Sequence, residues 1–395
     1  MDSRLWRVFK SRVSVKVRPA GMADDTTLAE IQAAYGASCA KYERLADKRL
    51  QKSDTIIISG YGCALRVKND ALVVFPGKTH KDQTQDTSIL YRGVHTIKHI
   101  ILLSGKGVVS LDAIKWASEQ GIAINIIDGH GNLIQSLAPE HESDASLRRA
   151  QYGASDTGLD VSISRELVRV KTEQQIKTLH VVGEMEFARS TFRPYRKSQV
   201  LDRTAIARLK DGLDELATIA DIGLLRLFEA KLGLIYWNSF VGIPLRWIKG
   251  NRKRIPPHWR VVSERSSSLA SNRSAMHATN PFHAVVNYAY AILQGQINQE
   301  LVSQGFDTAC GYLHVNQLHR DSLVFDLMEC HRSQVDRVVL NMFATHMLSK
   351  GEFMRTTDGS VQFNPQFARF IAASCRIPQS DIESSVSWLK GLLIG

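Results

Sequence analysis

The chain has 395 residues, 44% hydrophobic and 23% charged, a globular balance that excludes a disordered protein and leaves room for roughly two to three domains. No run approaches the roughly 18 uncharged apolar residues of a membrane helix, and the N-terminus lacks the continuous apolar core of a signal peptide. Fifty Lys and Arg against 39 Asp and Glu give a net charge of +11, which favours an anionic partner. The five scattered cysteines form no C-x-x-C pair, so a reducing, cytoplasmic setting is expected.

Residues 1–52 read as an extension, basic at first and then helical in composition through "TLAEIQAAYGASCAKYERLADKRLQ". From Ser53 the texture changes to short β-branched runs, "DTIIISGYG", "CALRVKNDALVVFPG" and "HTIKHIILLS", broken by Gly and Asn-Asp. These predict strands and hairpins. "SLDAIKWASEQG" predicts a short helix capped by Ser110, and "IAINIIDGHGNLIQSL" predicts strand, turn and strand. A β-rich domain is therefore expected over 53–138, followed by a polar linker over 139–150. Beyond it nearly everything reads helical, so 151–395 is expected to be a larger α domain. In it, Asn280 or Thr279 caps a helix that has Pro281 in its first turn. The expected fold class is α+β, a small N-terminal β-rich domain before a larger all-α one.

Charge is concentrated. Between Arg246 and Arg273 eight basic residues face one acid, Glu264. Their clustering with Trp247, His258 and Trp259 favours a phosphate backbone as partner over a merely solvated loop.

The run "SLVFDLMECHRSQVDRVVL" holds two carboxylates, Asp326 and Glu329, among residues that favour burial. Three apart, they share a face only on a helix, and buried carboxylates need a cation. Arg332, one turn beyond Glu329, offers a structural ion pair as one answer; a metal is the other. Glu229 raises the same question, lying in the apolar stripe of Leu225, Leu232 and Tyr236. His314, in "GYLHV", is either a hydrogen-bonded core residue or a ligand. Together Glu229, His314 and Glu329 would make a mixed oxygen and nitrogen site suited to Mg²⁺ or Mn²⁺. Cys330 beside His331 has no second half-site and is not read as a zinc pair.

Four stretches, "FEAKLGLIYWNSF", "NPFHAVVNYAYAIL", "GYLHV" and "SLVFDLMECHRSQVDRVVL", occur in the order in which they resemble the CRISPR-associated adaptation integrase family. The resemblance extends over about residues 53–395 and includes the strand region ending in "GNLIQSL". It implies a β-rich dimerisation domain and an α-helical catalytic domain, a homodimer, and two dimers bridged by a small ferredoxin-like adaptation subunit in a prokaryotic cytoplasm. It implies metal ligands at Glu229, His314 and Glu329, with Asp326 beside the metal, and Mg²⁺ or Mn²⁺ as cofactor. The implied reaction is transesterification: 3′-hydroxyl ends of captured double-stranded DNA are joined into the leader–repeat junction of a CRISPR array. Arg252, Lys253, Arg254, Arg260 and Arg273 are candidate clamps on the DNA backbone, whereas Tyr236 and Trp237 are expected to pack the helix. His283 stands where the family usually has Asn.

Three other readings compete, one of them a general metal nuclease acting on branched DNA, which the same site would support as a side activity. A non-enzymatic DNA-binding or architectural protein accounts for charge and helices but not for three ligand-type residues. A transposon-type integrase of related fold is disfavoured because no helix-turn-helix pattern follows Glu329.

Overall fold

A computed structural model describes residues 53–80, 83–84, 87–103, 106–139, 144–185, 203–248, 255–265, 278–314, 320–357 and 359–395. All of them lie in one compact unit, Cys39–Gly395. The expected extension over residues 1–52 lies outside the described residues, as do Arg252, Lys253, Arg254 and Arg273.

The first part of the chain builds β1 (Thr55–Ser59), β2 (Cys63–Lys68), β3 (Ala71–Phe75), β4 (Lys78–His80), β5 (Gln83–Thr84), β6 (Ser88–Leu90), β7 (His99–Leu103), β8 (Gly107–Val109), helix α1 (Leu111–Glu119), β9 (Ala123–Ile127) and β10 (Leu133–Leu137). They form two four-stranded sheets, ordered β1-β7-β9-β10 and β6-β3-β2-β8, while β4 and β5 pair separately. The β2–β3 hairpin turns on Asn69 and Asp70, both at positive φ, the backbone a tight two-residue turn demands. Ser110 caps α1 through the Ala113 N–H at 3.2 Å.

In the first sheet β1, β7 and β9 run parallel. Their apolar runs are continuous because both faces are covered. Ile58, Ile100, Leu102 and Ile124 face the second sheet and Trp116 of α1. The alternate residues Ile57, Ile101 and Leu103 join the helical core instead, as the two-residue period of a strand requires. The turn between β9 and β10 seats on the helices too. Gly131 has φ 82°, and a Cβ there would stand 2.8 Å from Tyr288 Cα.

The helical part comprises α2 (Ala145–Gly153), α3 (Leu159–Glu184), α4 (Arg203–Leu216), α5 (Ile222–Asn238), α6 (Pro281–Ser303), α7 (Ser322–Thr345), α8 (Pro365–Cys375) and α9 (Gln379–Ile394). Asp221 caps α5, dividing from α4 a stretch that reads as continuous helical composition. Asn280 caps α6 through the Phe282 N–H. The nearly all-round apolar α6 is buried along its length, as such a helix must be. Between α7 and α8 a small hairpin, β11 (Phe353–Arg355) and β12 (Val361–Phe363), interrupts the otherwise helical region. Its Phe353 and Phe363 pack 5.8 Å apart among Phe367, Tyr288 and Trp247. From the far end of the chain, Arg369 Nε donates to the Ile57 carbonyl at 3.0 Å and Arg376 reaches Asp54 at 3.4 Å. The structure is thus α+β, with the first sheet sandwiched between the second sheet and the helices.

The tryptophans of the basic stretch belong to the core. Trp247 and Trp259 are buried and stacked with ring centroids 6.0 Å apart. Each indole N–H is satisfied by a carbonyl, of Trp259 and Thr279 respectively.

Candidate functional site

Helix α7 buries three carboxylates, Asp326, Glu329 and Asp336, among mainly apolar side chains. Asp326 is fully buried. Its Oδ2 accepts the backbone N–H groups of Tyr312 at 2.5 Å and Leu313 at 3.1 Å; its Oδ1 accepts the His314 N–H at 2.8 Å and His314 Nδ1 at 2.7 Å. The whole 312–314 segment is folded around this one carboxylate. Gly311 makes the approach possible, since a Cβ there would lie 2.7 Å from Ser322 Cβ and 3.0 Å from Asp326 Oδ2. Arg226 of α5 donates to the Leu313 carbonyl at 2.5 Å, tying this segment to the helix that bears Glu229.

A carboxylate can only accept, so His314 carries its ring proton on Nδ1. Its Nε2 faces Glu329 Oε1 at 3.9 Å. Such a carboxylate–imidazole pair fixes the tautomer and ring direction of a ligating histidine. Asp326 is therefore placed to position His314 and has its own oxygens engaged.

Glu329 is 1% exposed. Arg332, one turn on, pairs with its Oε1. Lys171 of α3 stands 2.6 Å from its Oε2 and also pairs with Oε1 of Glu229 on α5. The contact with Oε2 is ionic proximity without the alignment of a hydrogen bond. Burial opposes the charge on Glu329, but Arg332, Lys171 and His314 outweigh it and hold its carboxyl well below the usual range. Burial likewise opposes the Lys171 ammonium, and the two glutamates more than compensate, raising it.

The expected trio thus converges from α5, α7 and the 312–314 segment, with a lysine in its midst. Among the described residues no three His, Cys, Asp or Glu side chains already stand at coordination spacing around one point. The residues nevertheless fit a hard divalent ion. Two carboxylates and an imidazole Nε2 are its donor set, and the buried Oε2 of Glu329, lacking any hydrogen bond, already lies against a cation. Arg332 makes the ion pair with Glu329 that the sequence suggested as one answer to the buried carboxylate.

Other candidates are placed differently. Arg260 is half-buried at the end of a 3₁₀ turn, Pro257–Trp259, and is the one backbone-clamp candidate within the described residues. Arg246 donates to the Ala344 carbonyl at 3.1 Å, and Arg265 lies over Trp237 at 4.3 Å, so these two are engaged within the protein. Tyr236 is buried and donates to Asp336 at 2.7 Å, a packing role as expected. His283 is buried, its Nε2 2.8 Å from the Ser263 carbonyl, and burial lowers it to about 4. That is a neutral, packed imidazole. His331 bonds Ser385 at 2.9 Å, away from any zinc pairing with Cys330.

Lys171 and Asp336 escaped the sequence reading. For Lys171 a signal existed: Ile163, Leu167, Lys171, Gln175 and Leu179 recur every fourth residue and all are buried. A cation in such a stripe requires an acid opposite.

Two β-sheets and a helical body carry a partly buried cluster of carboxylates, imidazole and ammonium beside α3, α5 and α7. Residues 56–374 match the family described as CRISPR associated protein Cas1, and the chain belongs to that family. It is 27% identical over 302 residues to CRISPR-associated protein Cas1 3 of Methanobrevibacter ruminantium, covering 75% of this chain and 80% of that one. It is 27% identical over 328 residues to CRISPR-associated endonuclease Cas1 1 of Archaeoglobus fulgidus, covering 81% and 86%. Among solved structures, a casposase bound to integration product shares the fold with TM-score 0.68 at 20% identity, over 85% of this chain and 90% of that one. A Cas1 protein from Thermotoga maritima does so with TM-score 0.62 at 15% identity, over 86% and 97%. No helix among the described residues is long and apolar enough to cross a membrane.

Proposed function

We propose that this protein is a metal-dependent DNA integrase and endonuclease of CRISPR adaptation, joining captured fragments into a repeat array. The observation that carries the reading is the oriented trio: Glu229 and Glu329 brought to one ammonium, and His314 Nε2 turned toward them by Asp326. Family membership and the endonuclease name of the Archaeoglobus fulgidus relative support it.

Glu229, Glu329 and His314 Nε2 would hold Mg²⁺ or Mn²⁺. Bound there, the ion supplies Lewis-acid polarisation of the phosphate and neutralises charge developing on it. The protein's own residues do the rest. Asp326 keeps the His314 ring in one tautomer and one direction. Arg332 fixes the Glu329 carboxylate from the side opposite Lys171. The basic stretch, with Arg252, Lys253, Arg254, Arg260 and Arg273, takes the DNA backbone, and in-line geometry comes from holding both strands there.

In the reaction the 3′-hydroxyl of the captured fragment attacks a phosphodiester at the leader–repeat junction. A P–O bond forms to the incoming oxygen, and the bond to the target's 3′ oxygen breaks. The attacking hydroxyl loses its proton and the departing 3′ oxygen gains one, so the number of phosphodiesters is conserved. The assembly we propose is a homodimer, two copies of which bracket a small ferredoxin-like subunit. A Cas6-RT-Cas1–Cas2 complex, one chain of which shares this fold at TM-score 0.64, is in keeping with such a partnership.

The test is strand transfer. Supercoiled plasmid carrying a repeat array is incubated with short duplexes bearing 3′-hydroxyl ends, with Mg²⁺ or Mn²⁺ or EDTA, with and without the small subunit. Metal-dependent joining that is lost in Glu329→Gln is expected. DNA binding without joining or cutting under every condition would hand the protein to the non-enzymatic reading.

A further inference from the structure

No reading of the ligands requires Lys171, yet it stands where they converge. It reaches Glu329 of α7 at 2.6 Å and pairs with Glu229 of α5 while belonging to α3 itself. Its side chain is only 10% exposed. Without a cation between them, two carboxylates on separate helices would repel each other in a site with little solvent.

We propose that Lys171 is a built-in counter-cation: its ammonium holds Glu229 and Glu329 together in the metal-free protein and is displaced when a divalent ion enters. The proposal rests on the reading of Glu229, Glu329 and His314 as ligands. Its physical basis is exclusion. Mg²⁺ takes carboxylate oxygens at roughly 2.0–2.1 Å, and an ammonium nitrogen 2.6 Å from one of those oxygens occupies the same space with the same sign of charge.

The two cations of the cluster differ in how readily they can leave. Arg332 binds Glu329 from one turn along the same helix and lies over the Tyr290 ring at 5.3 Å. A planar guanidinium so placed is fixed on two sides. Lys171 is a point charge on a flexible four-carbon stem, and its contact with Oε2 lacks hydrogen-bond alignment. Its hold is one hydrogen bond to Glu229 and its charge, and a divalent ion that takes the same carboxylate oxygens replaces both. The consequences are a metal-free site that stays assembled and an affinity for metal lowered by competition.

The test uses the full chain and Mn²⁺ as probe, read by electron paramagnetic resonance, with Lys171→Met and Glu329→Gln beside the wild type. Lys171→Met should bind Mn²⁺ about tenfold more tightly, because no ion pair has to be broken. Its melting temperature in EDTA should fall and recover with Mn²⁺ by more than the wild type gains. A second measurement needs no variant. Acetylation of Lys171 in the wild type, followed by peptide mass spectrometry, should rise on adding Mn²⁺, with the exposed Lys115 as internal standard. If Lys171→Met fails to fold, this labelling alone decides. Mn²⁺ binding that is lost in Glu329→Gln but equal or weaker in Lys171→Met, with labelling unmoved, overturns the displacement and leaves the ligand reading standing. Equal Mn²⁺ binding by all three proteins overturns both.

Discussion

A single oxygen, Oδ1 of Asp326, accepts both the backbone N–H and the ring Nδ1–H of His314, at 2.8 and 2.7 Å. The histidine is thereby fixed in position, in tautomer and in direction by one buried side chain. Asp326→Asn keeps the shape but presents an amide N–H₂ group to donors. Strand joining should fall roughly 10- to 100-fold, the usual effect of losing the partner of a ligating histidine. Mn²⁺ affinity should fall with it. Normal Mn²⁺ binding with slow joining would show that Asp326 acts elsewhere than through His314.

Glu329 neutralises two cations inside the protein, Lys171 and Arg332. Glu329→Ala strands Arg332 and leaves Lys171 with Glu229 alone, and should cost about 3–5 kcal/mol of stability, the range for breaking a buried ion pair from one side. Glu329→Gln, which can still accept from one of them, should cost less while abolishing joining equally. Urea unfolding of the two variants checks this. A loss below about 1 kcal/mol in Glu329→Ala would mean that solvent already screens the cluster.

Asp336 gives a pH signature. It is buried and accepts from Tyr236 and Tyr290, each at 2.7 Å. Burial pushes its carboxyl up to about 6, against the hydrogen bonds of the two tyrosines and the charges of Arg265 and Arg332. A carboxyl raised in the folded state binds more protons there than in the unfolded chain. Stability therefore falls as pH rises from about 4 to about 6, and is flat above. Asp336→Asn removes that slope. Between pH 4.5 and pH 7.5 the difference in unfolding free energy should move by about 2 kcal/mol in the variant's favour. Parallel stability profiles for the two proteins would contradict this.

Arg260 tests the basic stretch. If it holds a phosphate, Arg260→Ala should weaken binding to all DNA sequences alike. The slope of log affinity against log salt should then shrink by about one unit. A purely structural Arg260 would instead lower the melting temperature and leave that slope unchanged.

How much of this was legible beforehand depends on the range of the interaction involved. The α1 cap at Ser110, the choice between Thr279 and Asn280 at the start of α6, the strand runs through "TIII" and "HIILL", and the helical pairing of Asp326 with Glu329 are local and legible in neighbouring residues; the structure selects Asn280. The β11–β12 hairpin was not, because Phe353 and Phe363 acquire their strand role only from aromatic partners distant in sequence. The tryptophans of the basic stretch were grouped with its arginines, and they stack in the core instead. Nothing in their spacing distinguishes the two fates.

The sequence by itself determined the α+β class, the family resemblance and the residue types of the site, because hydrophobic period, capping and motif order are written in consecutive positions. Only the tertiary structure decided what each charged side chain faces. Lys171, Glu229, His314 and Glu329 come from separate segments, and whether their charges cancel, compete or chelate depends on distances of a few ångströms that no spacing along the chain encodes.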